Sequence, residues 1–183
     1  MRGLSLLSRL IPYAPKFTGG VTVAVGDTNG DGKPDIITGP GAGAAPLVKT
    51  ISGADLTTVL QSFLAYSSKF LGGVFVAAGN LNDAIRADIV TAPGRGMPPE
   101  VKVFQGNNPS SVLQDFLAYE PLFLGGVTVA VKDVDGDGLA DILTGPGPTA
   151  GAHVRIFRGL NPSVELRSFF AFDPSLLRGI YVG

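Results

Sequence analysis

The chain has 183 residues, of which 45% are hydrophobic and 16% are charged, so it has enough apolar content for a folded core. A net charge of −1 argues against a nucleic-acid-binding protein, and the absence of cysteine excludes disulfides and thiolate zinc sites. No apolar run approaches the length needed to span a membrane. A signal peptide is not expected either, because Arg9 interrupts the mildly apolar stretch 2–11.

Short apolar runs separated by glycine and proline predict an all-β chain. The 26 glycines and 14 prolines are well above the usual share and indicate many tight turns. The first repeat is predicted to have four strands, at Val21–Val25, Ile36–Thr38, Val48–Ile51 and Leu60–Tyr66. No window has a helical period.

The same features return every 53 residues along the chain. Phe17-Thr18-Gly19-Gly20-Val21 recurs from Phe70 and from Phe123, and it fades from Leu176 onward. A period near 50 residues is typical of repeat arrays, including propeller blades. The predicted division is a trailing strand of a preceding blade at 1–16, blades at 17–69, 70–122 and 123–175, and the first strand of a further blade at 176–183.

Each repeat contains a nine-residue stretch rich in oxygen side chains, beginning at Asp27, Asn80 and Asp133. Oxygen ligands at alternate positions suit a calcium ion, and glycine permits the sharp bend that such a loop requires. An ordinary turn rich in Asp and Asn is the competing interpretation. It is favoured only for the middle copy, where Ala84 stands at the position of Asp31. An EF-hand is excluded because Thr38 and Thr144 occupy position 12.

These motifs together resemble FG-GAP/VCBS-type repeats, which build β-propellers with calcium in the loop between the first two strands of a blade. The resemblance implies calcium as cofactor, and it suggests an extracellular or periplasmic protein. By the same resemblance, the first ligand set is Asp27, Asn29, Asp31, the Lys33 carbonyl and Asp35. The second set is Asp133, Asp135, Asp137, the Leu139 carbonyl and Asp141.

Three blades are fewer than a propeller needs to close, so the chain is expected to be part of a longer array or half of an oligomeric ring. A homodimer would supply six blades, with the strands Leu6–Tyr13 and Leu176–Gly183 at the seams. Such a homodimer would have two-fold symmetry, which is the commonest symmetry of soluble oligomers.

Three functions remain open: a calcium-stabilised module that binds a protein or small molecule, a calcium-dependent hydrolase of phosphoesters or lactones, or a fragment of a larger secreted protein. The hydrolase would draw on His153 as a base and on the periodic cations Lys49, Lys102 and Arg155. For these cations a purely structural role, with the stem along the blade and the head in water or beside a carboxylate, is favoured over an anion site.

Overall fold

A computed structural model describes residues 9–82 and 85–183, and every regular element in these ranges is a β-strand. The all-β prediction is therefore confirmed, and no described segment is a helix that could cross a membrane. The strands are β1 (Val21–Gly26), β2 (Asp35–Pro40), β3 (Leu47–Ile51), β4 (Val59–Leu64), β5 (Val74–Gly79), β6 (Asp88–Pro93), β7 (Glu100–Gln105), β8 (Asn108–Leu117), β9 (Val127–Lys132), β10 (Asp141–Pro146), β11 (His153–Arg158) and β12 (Asn161–Phe170).

The strands form three antiparallel sheets of four, in the orders β1-β2-β3-β4, β5-β6-β7-β8 and β9-β10-β11-β12. The predicted four-stranded blades are confirmed. The first hairpin has the same register in each sheet, so that Gly26 pairs with Asp35, Gly79 with Asp88 and Lys132 with Asp141. The three oxygen-rich stretches therefore connect the first two strands at equivalent ends of the three sheets.

The last strand of the first sheet is shorter than predicted. It ends at Leu64, and Ala65 and Tyr66 lie beyond it, both buried. Tyr66 leaves the sheet because its hydroxyl turns to the next sheet, where it donates to the Glu100 carbonyl at 2.8 Å. Tyr119 makes the equivalent bond to the His153 carbonyl at 2.8 Å.

The sheets stack face to face, with β5 against β1 and β2, and β9 against β5 and β6. Between the first two sheets, Val74 and Val76 pack with Ile37 and Val48. Complete burial of a valine side chain contributes roughly 1.5–3 kcal/mol. The equivalent side chains of the next pair of sheets also pack together, namely Val127, Val129, Val90 and Val101. The middle sheet, which is apolar on both faces, is thus covered by a neighbouring sheet on each side.

The glycine-rich turns allow the backbone of one repeat to pack closely on itself. The Gly41 N–H donates to the Gly20 carbonyl at 2.9 Å, and a Cβ on Gly41 would collide with the Gly19 carbonyl oxygen. The neighbouring Gly43 N–H donates to the Leu71 carbonyl of the next sheet at 2.9 Å. Gly19 and Gly41 are therefore packing requirements of the blade, whereas Gly20 is favoured by its positive φ of 82°.

The two ends of the chain lie where the repeat places them, but they are not paired as strands. Neither residues 9–13 nor residues 176–183 form a regular strand, and Leu6–Ser8 of the predicted first strand lie outside the described residues. Tyr13 nevertheless donates to the Leu47 carbonyl at 2.9 Å, as Tyr66 does to its own neighbouring sheet. The Ile180 N–H donates to the Pro146 carbonyl at 2.8 Å.

Candidate metal centre

The first oxygen-rich loop, residues 27–35, is held by the carboxylate of its first residue. Asp27 follows β1 directly, and its two oxygens accept from the Gly30 N–H at 2.7 Å and the Gly32 N–H at 2.8 Å. Gly30 and Gly32 have φ values of 82° and 80°, a region that strongly favours glycine. The bend closes the loop around the carboxylate of Asp27.

The remaining side chains of this loop also bond to its backbone. Asp31 accepts from the Lys33 N–H at 2.8 Å, and Asn29 accepts from the Asp31 N–H at 2.9 Å. Asp35 is fully buried, and its Oδ2 accepts from the Thr28 N–H at 3.0 Å and the Thr28 hydroxyl at 2.6 Å. These contacts are those of an Asx-rich turn, so they organise the oxygens without a cation.

The second loop, residues 133–141, repeats this arrangement and brings three carboxylates together. Oxygens of Asp133, Asp135 and Asp141 all lie within 4.8 Å of one another, and Asp141 is buried. In the described ranges of the chain, no other three or more acidic, His or Cys side chains converge in this way. Asp137 stands outside the group and accepts from the Leu139 N–H at 2.9 Å.

The donor set of the second loop fits a hard divalent cation. Its donors are carboxylate oxygens, which calcium prefers, and three carboxylates at this separation repel one another unless a positive charge lies nearby. A positive group is present: Arg158 Nη2 lies 2.6 Å from Asp135 Oδ2. The equivalents in the first loop are Asp27, Asn29 and Asp35, so one of its three donors is an amide.

The middle loop lacks the features that define the other two. Asp83 and Ala84 lie outside the described residues. Arg86 extends away from its own loop, and its Nε donates to the Asn29 carbonyl of the first loop at 3.0 Å. Asp88 is buried, and its Oδ2 has no hydrogen-bond partner among the described residues. Burial, opposed in part by backbone hydrogen bonds, raises the pKa of this carboxyl.

The three periodic cations all contact neighbouring groups. Lys49 Nζ donates to the Pro12 carbonyl at 2.7 Å, and Arg155 Nη1 donates to the Ala118 carbonyl at 2.6 Å. Lys102 Nζ lies 3.5 Å from Glu100 and 3.4 Å from Asp115, and Arg155 pairs with Glu165. Each cation also lies near a tyrosine ring at the adjoining blade boundary: Tyr13, Tyr66 and Tyr119. These contacts favour the structural interpretation over an open anion site.

His153 lies at the opposite end of β11 from the second loop. Arg158, which contacts that loop, is five positions further along β11, about 16 Å at the usual strand rise. The His153 ring stacks on Phe170 at 4.6 Å, and Nε2 is 2.6 Å from the Ser168 hydroxyl. Burial, and then the Arg155 charge, lower the pKa of His153. The structure does not bring His153 to the carboxylate cluster.

Two structural features, at opposite ends of the inner strands, were missed from the sequence. One is the contact between Arg158 and Asp135; a signal for it was available, since the first two repeats have Ser52 and Gln105 at the position of Arg158. The other is a cavity of about 490 Å³ at the start of the inner strands, with two exposed cations, Arg95 and Arg178, in its wall.

Comparison with known proteins supports the resemblance seen in the motifs. Residues 19–54 match the family model of the FG-GAP repeat, a stretch that contains β1, the first oxygen-rich loop, β2 and β3. The predicted resemblance to FG-GAP/VCBS-type repeats is confirmed by this match. Curated proteins give no match to the chain.

Proposed function

We propose that the chain is a calcium-binding β-propeller repeat module, in which the ions stabilise the blades and the assembled blades bind a protein or small-molecule ligand. The convergence of Asp133, Asp135 and Asp141 within 4.8 Å supports this most directly. The cluster sits on a hairpin whose register is the same in all three sheets, so the first loop presents its oxygens on an equivalent scaffold.

Calcium suits these loops because it takes six to eight oxygen ligands in a tolerant geometry. The carboxylates supply charge, and the Lys33 and Leu139 carbonyls are proposed as further ligands. In the middle loop Asn80 stands where the other two loops have Asp27 and Asp133, Ala84 stands at the position of Asp31, and Arg86 adds a positive charge. We therefore assign calcium to the first and third repeats and none to the second.

The same proposal includes self-association into a closed ring, with a homodimer as the favoured assembly. Val21 and Val23 of β1 are 43% and 58% exposed, whereas their repeat equivalents Val74 and Val76 are 1% and 7% exposed. At the other end of the chain, Phe172 is 63% exposed. Apolar side chains exposed at both ends of the stack of sheets are typical of an interface, and a second copy of the same repeats offers blades that can cover them.

The experiment is a thermal unfolding series with and without calcium. A ligand that binds only the folded state stabilises it by mass action, so millimolar calcium is expected to raise Tm and chelator to reverse the rise. Asp31→Ala and Asp137→Ala should each remove part of the gain, and Asp83→Ala should remove much less. A Tm that does not respond to calcium would contradict the proposal.

Self-association is tested separately by light scattering. The expected mass at micromolar concentration is that of two chains. A monomer mass together with cooperative unfolding would contradict the dimer and leave the calcium assignment standing.

A further inference from the structure

Arg158 is placed to act on the second loop from outside it. It is the last residue of β11, and its Nη2 lies 2.6 Å from Asp135 Oδ2. Asp135 is one of the three carboxylates of the cluster, with Asp133 and Asp141. The positive charge of Arg158 therefore lies directly beside Asp135, a proposed calcium ligand.

The other two repeats supply an internal comparison. The position of Asp135 is occupied by Asn29 and Asn82, which are neutral. In those same repeats the position of Arg158 is occupied by Ser52 and Gln105, which are also neutral. The extra carboxylate of the third repeat thus occurs together with the extra guanidinium, and the two charges meet in space.

We propose that Arg158 sets the calcium affinity of the second loop, by neutralising Asp135 and so weakening binding relative to a cluster whose three carboxylates are uncompensated. The inference rests on the proposed function, since it requires the loop to bind calcium. Calcium affinity depends on the number of charged ligands, and a nearby guanidinium repels the incoming ion while it competes for the Asp135 carboxylate.

The exposure of the pair argues against a mainly structural role for Arg158. Its side chain is 46% exposed and that of Asp135 is 26% exposed. An ion pair this close to solvent contributes little to folding stability. The same charge acts more strongly on a divalent ion bound beside it, because the Coulomb energy scales with the product of the two charges.

Calorimetric calcium titration of the full chain tests the inference, with the first loop weakened by Asp31→Ala so that the second loop is observed. In that background, Arg158→Gln introduces the residue of the middle repeat and is expected to tighten binding about two- to fivefold. Asp135→Asn combined with Arg158→Gln is expected to bind more tightly than Asp135→Asn alone. Arg167→Gln removes an equal charge from exposed β12 and is expected to leave the affinity unchanged.

The outcomes separate this inference from the proposed function. Unchanged or weaker binding in Arg158→Gln, or an equal gain in Arg167→Gln, overturns the role of Arg158 while calcium binding itself stands. Absence of calcium binding in the otherwise unaltered chain overturns the proposed function. Unfolding curves recorded without calcium check that each variant is folded. If Arg158→Gln alone does not fold, the role of Arg158 is tested by comparing the calcium affinity of Asp135→Asn with that of Asp135→Asn combined with Arg158→Gln.

Discussion

The hydroxyl of Thr128 donates to the carbonyl of Ile180 at 3.0 Å. The same bond joins Thr22 to Val74 at 2.6 Å, between the inner strands of the first two sheets. Ile180 therefore occupies the place of an inner-strand residue of a further blade, although the segment 176–183 forms no regular strand. The carboxyl-terminal residues cover part of β9 in the way that β5 covers β1.

Removing residues 176–183 should weaken self-association. The deletion would expose β9 and β10, and it would leave the Thr128 hydroxyl without its Ile180 acceptor. Unpaired strand edges promote indiscriminate pairing, so aggregation is expected as well. Light scattering over a concentration series checks this, and a truncated chain with the assembly and solubility of the full chain would contradict it.

Tyr66 should contribute measurably to the contact between the first two blades. Its hydroxyl donates to the Glu100 carbonyl at 2.8 Å and lies 3.2 Å from the Thr91 hydroxyl, and the side chain is buried. Tyr66→Phe leaves these groups without that partner and is expected to cost about 1–3 kcal/mol of unfolding free energy. Denaturant unfolding of the wild type and the variant measures this difference in unfolding free energy.

Tyr181→Phe is the matched control, because Tyr181 is 80% exposed. The same chemical change there should alter the unfolding free energy by less than about 0.5 kcal/mol. Equal effects at the two positions would show that the Tyr66 hydroxyl does not hold the blades together.

Asp88 should make stability depend on pH in the calcium-free protein. Its pKa is raised by burial above the ordinary value of 3.8, so the folded state binds the proton more tightly than the unfolded state does. The contribution of this group to stability is therefore fully present below pH 3.8 and is lost as pH rises through the raised pKa. Relative to the wild type, Asp88→Asn should gain stability with rising pH over that window. A difference in unfolding free energy between Asp88→Asn and the wild type that does not change with pH would contradict the prediction.

The fold was largely predictable because its signals are local and repeated. The strand Val21–Val25 is found within β1, whereas the second strand runs two residues beyond the predicted Thr38, through Gly39 to Pro40. The prediction placed Tyr66 inside its strand, since aromatic residues favour strands. The structure places it beyond Leu64 because a bond to the neighbouring sheet competes with strand pairing, and that partner is 34 residues away.

The candidate site was predictable only in part. The nine-residue spacing identifies Asp133, Asp135 and Asp141 as neighbours, and the structure brings them together. Comparison of the repeats shows that Arg158 stands where the others have Ser52 and Gln105, but the contact with Asp135 spans 23 residues and depends on where β11 ends, so the sequence does not identify the partner. The same holds for Arg86, whose contact with Asn29 joins two repeats.

The calcium stoichiometry of the full chain tests the central claim most directly. Calorimetric titration of the metal-free protein should give two calcium ions per chain, one for residues 27–35 and one for residues 133–141. Asp31→Ala and Asp137→Ala should each weaken one of the two sites and leave the other unchanged. No bound calcium, or a third ion of similar affinity at Asn80, Asn82 and Asp88, would contradict the account.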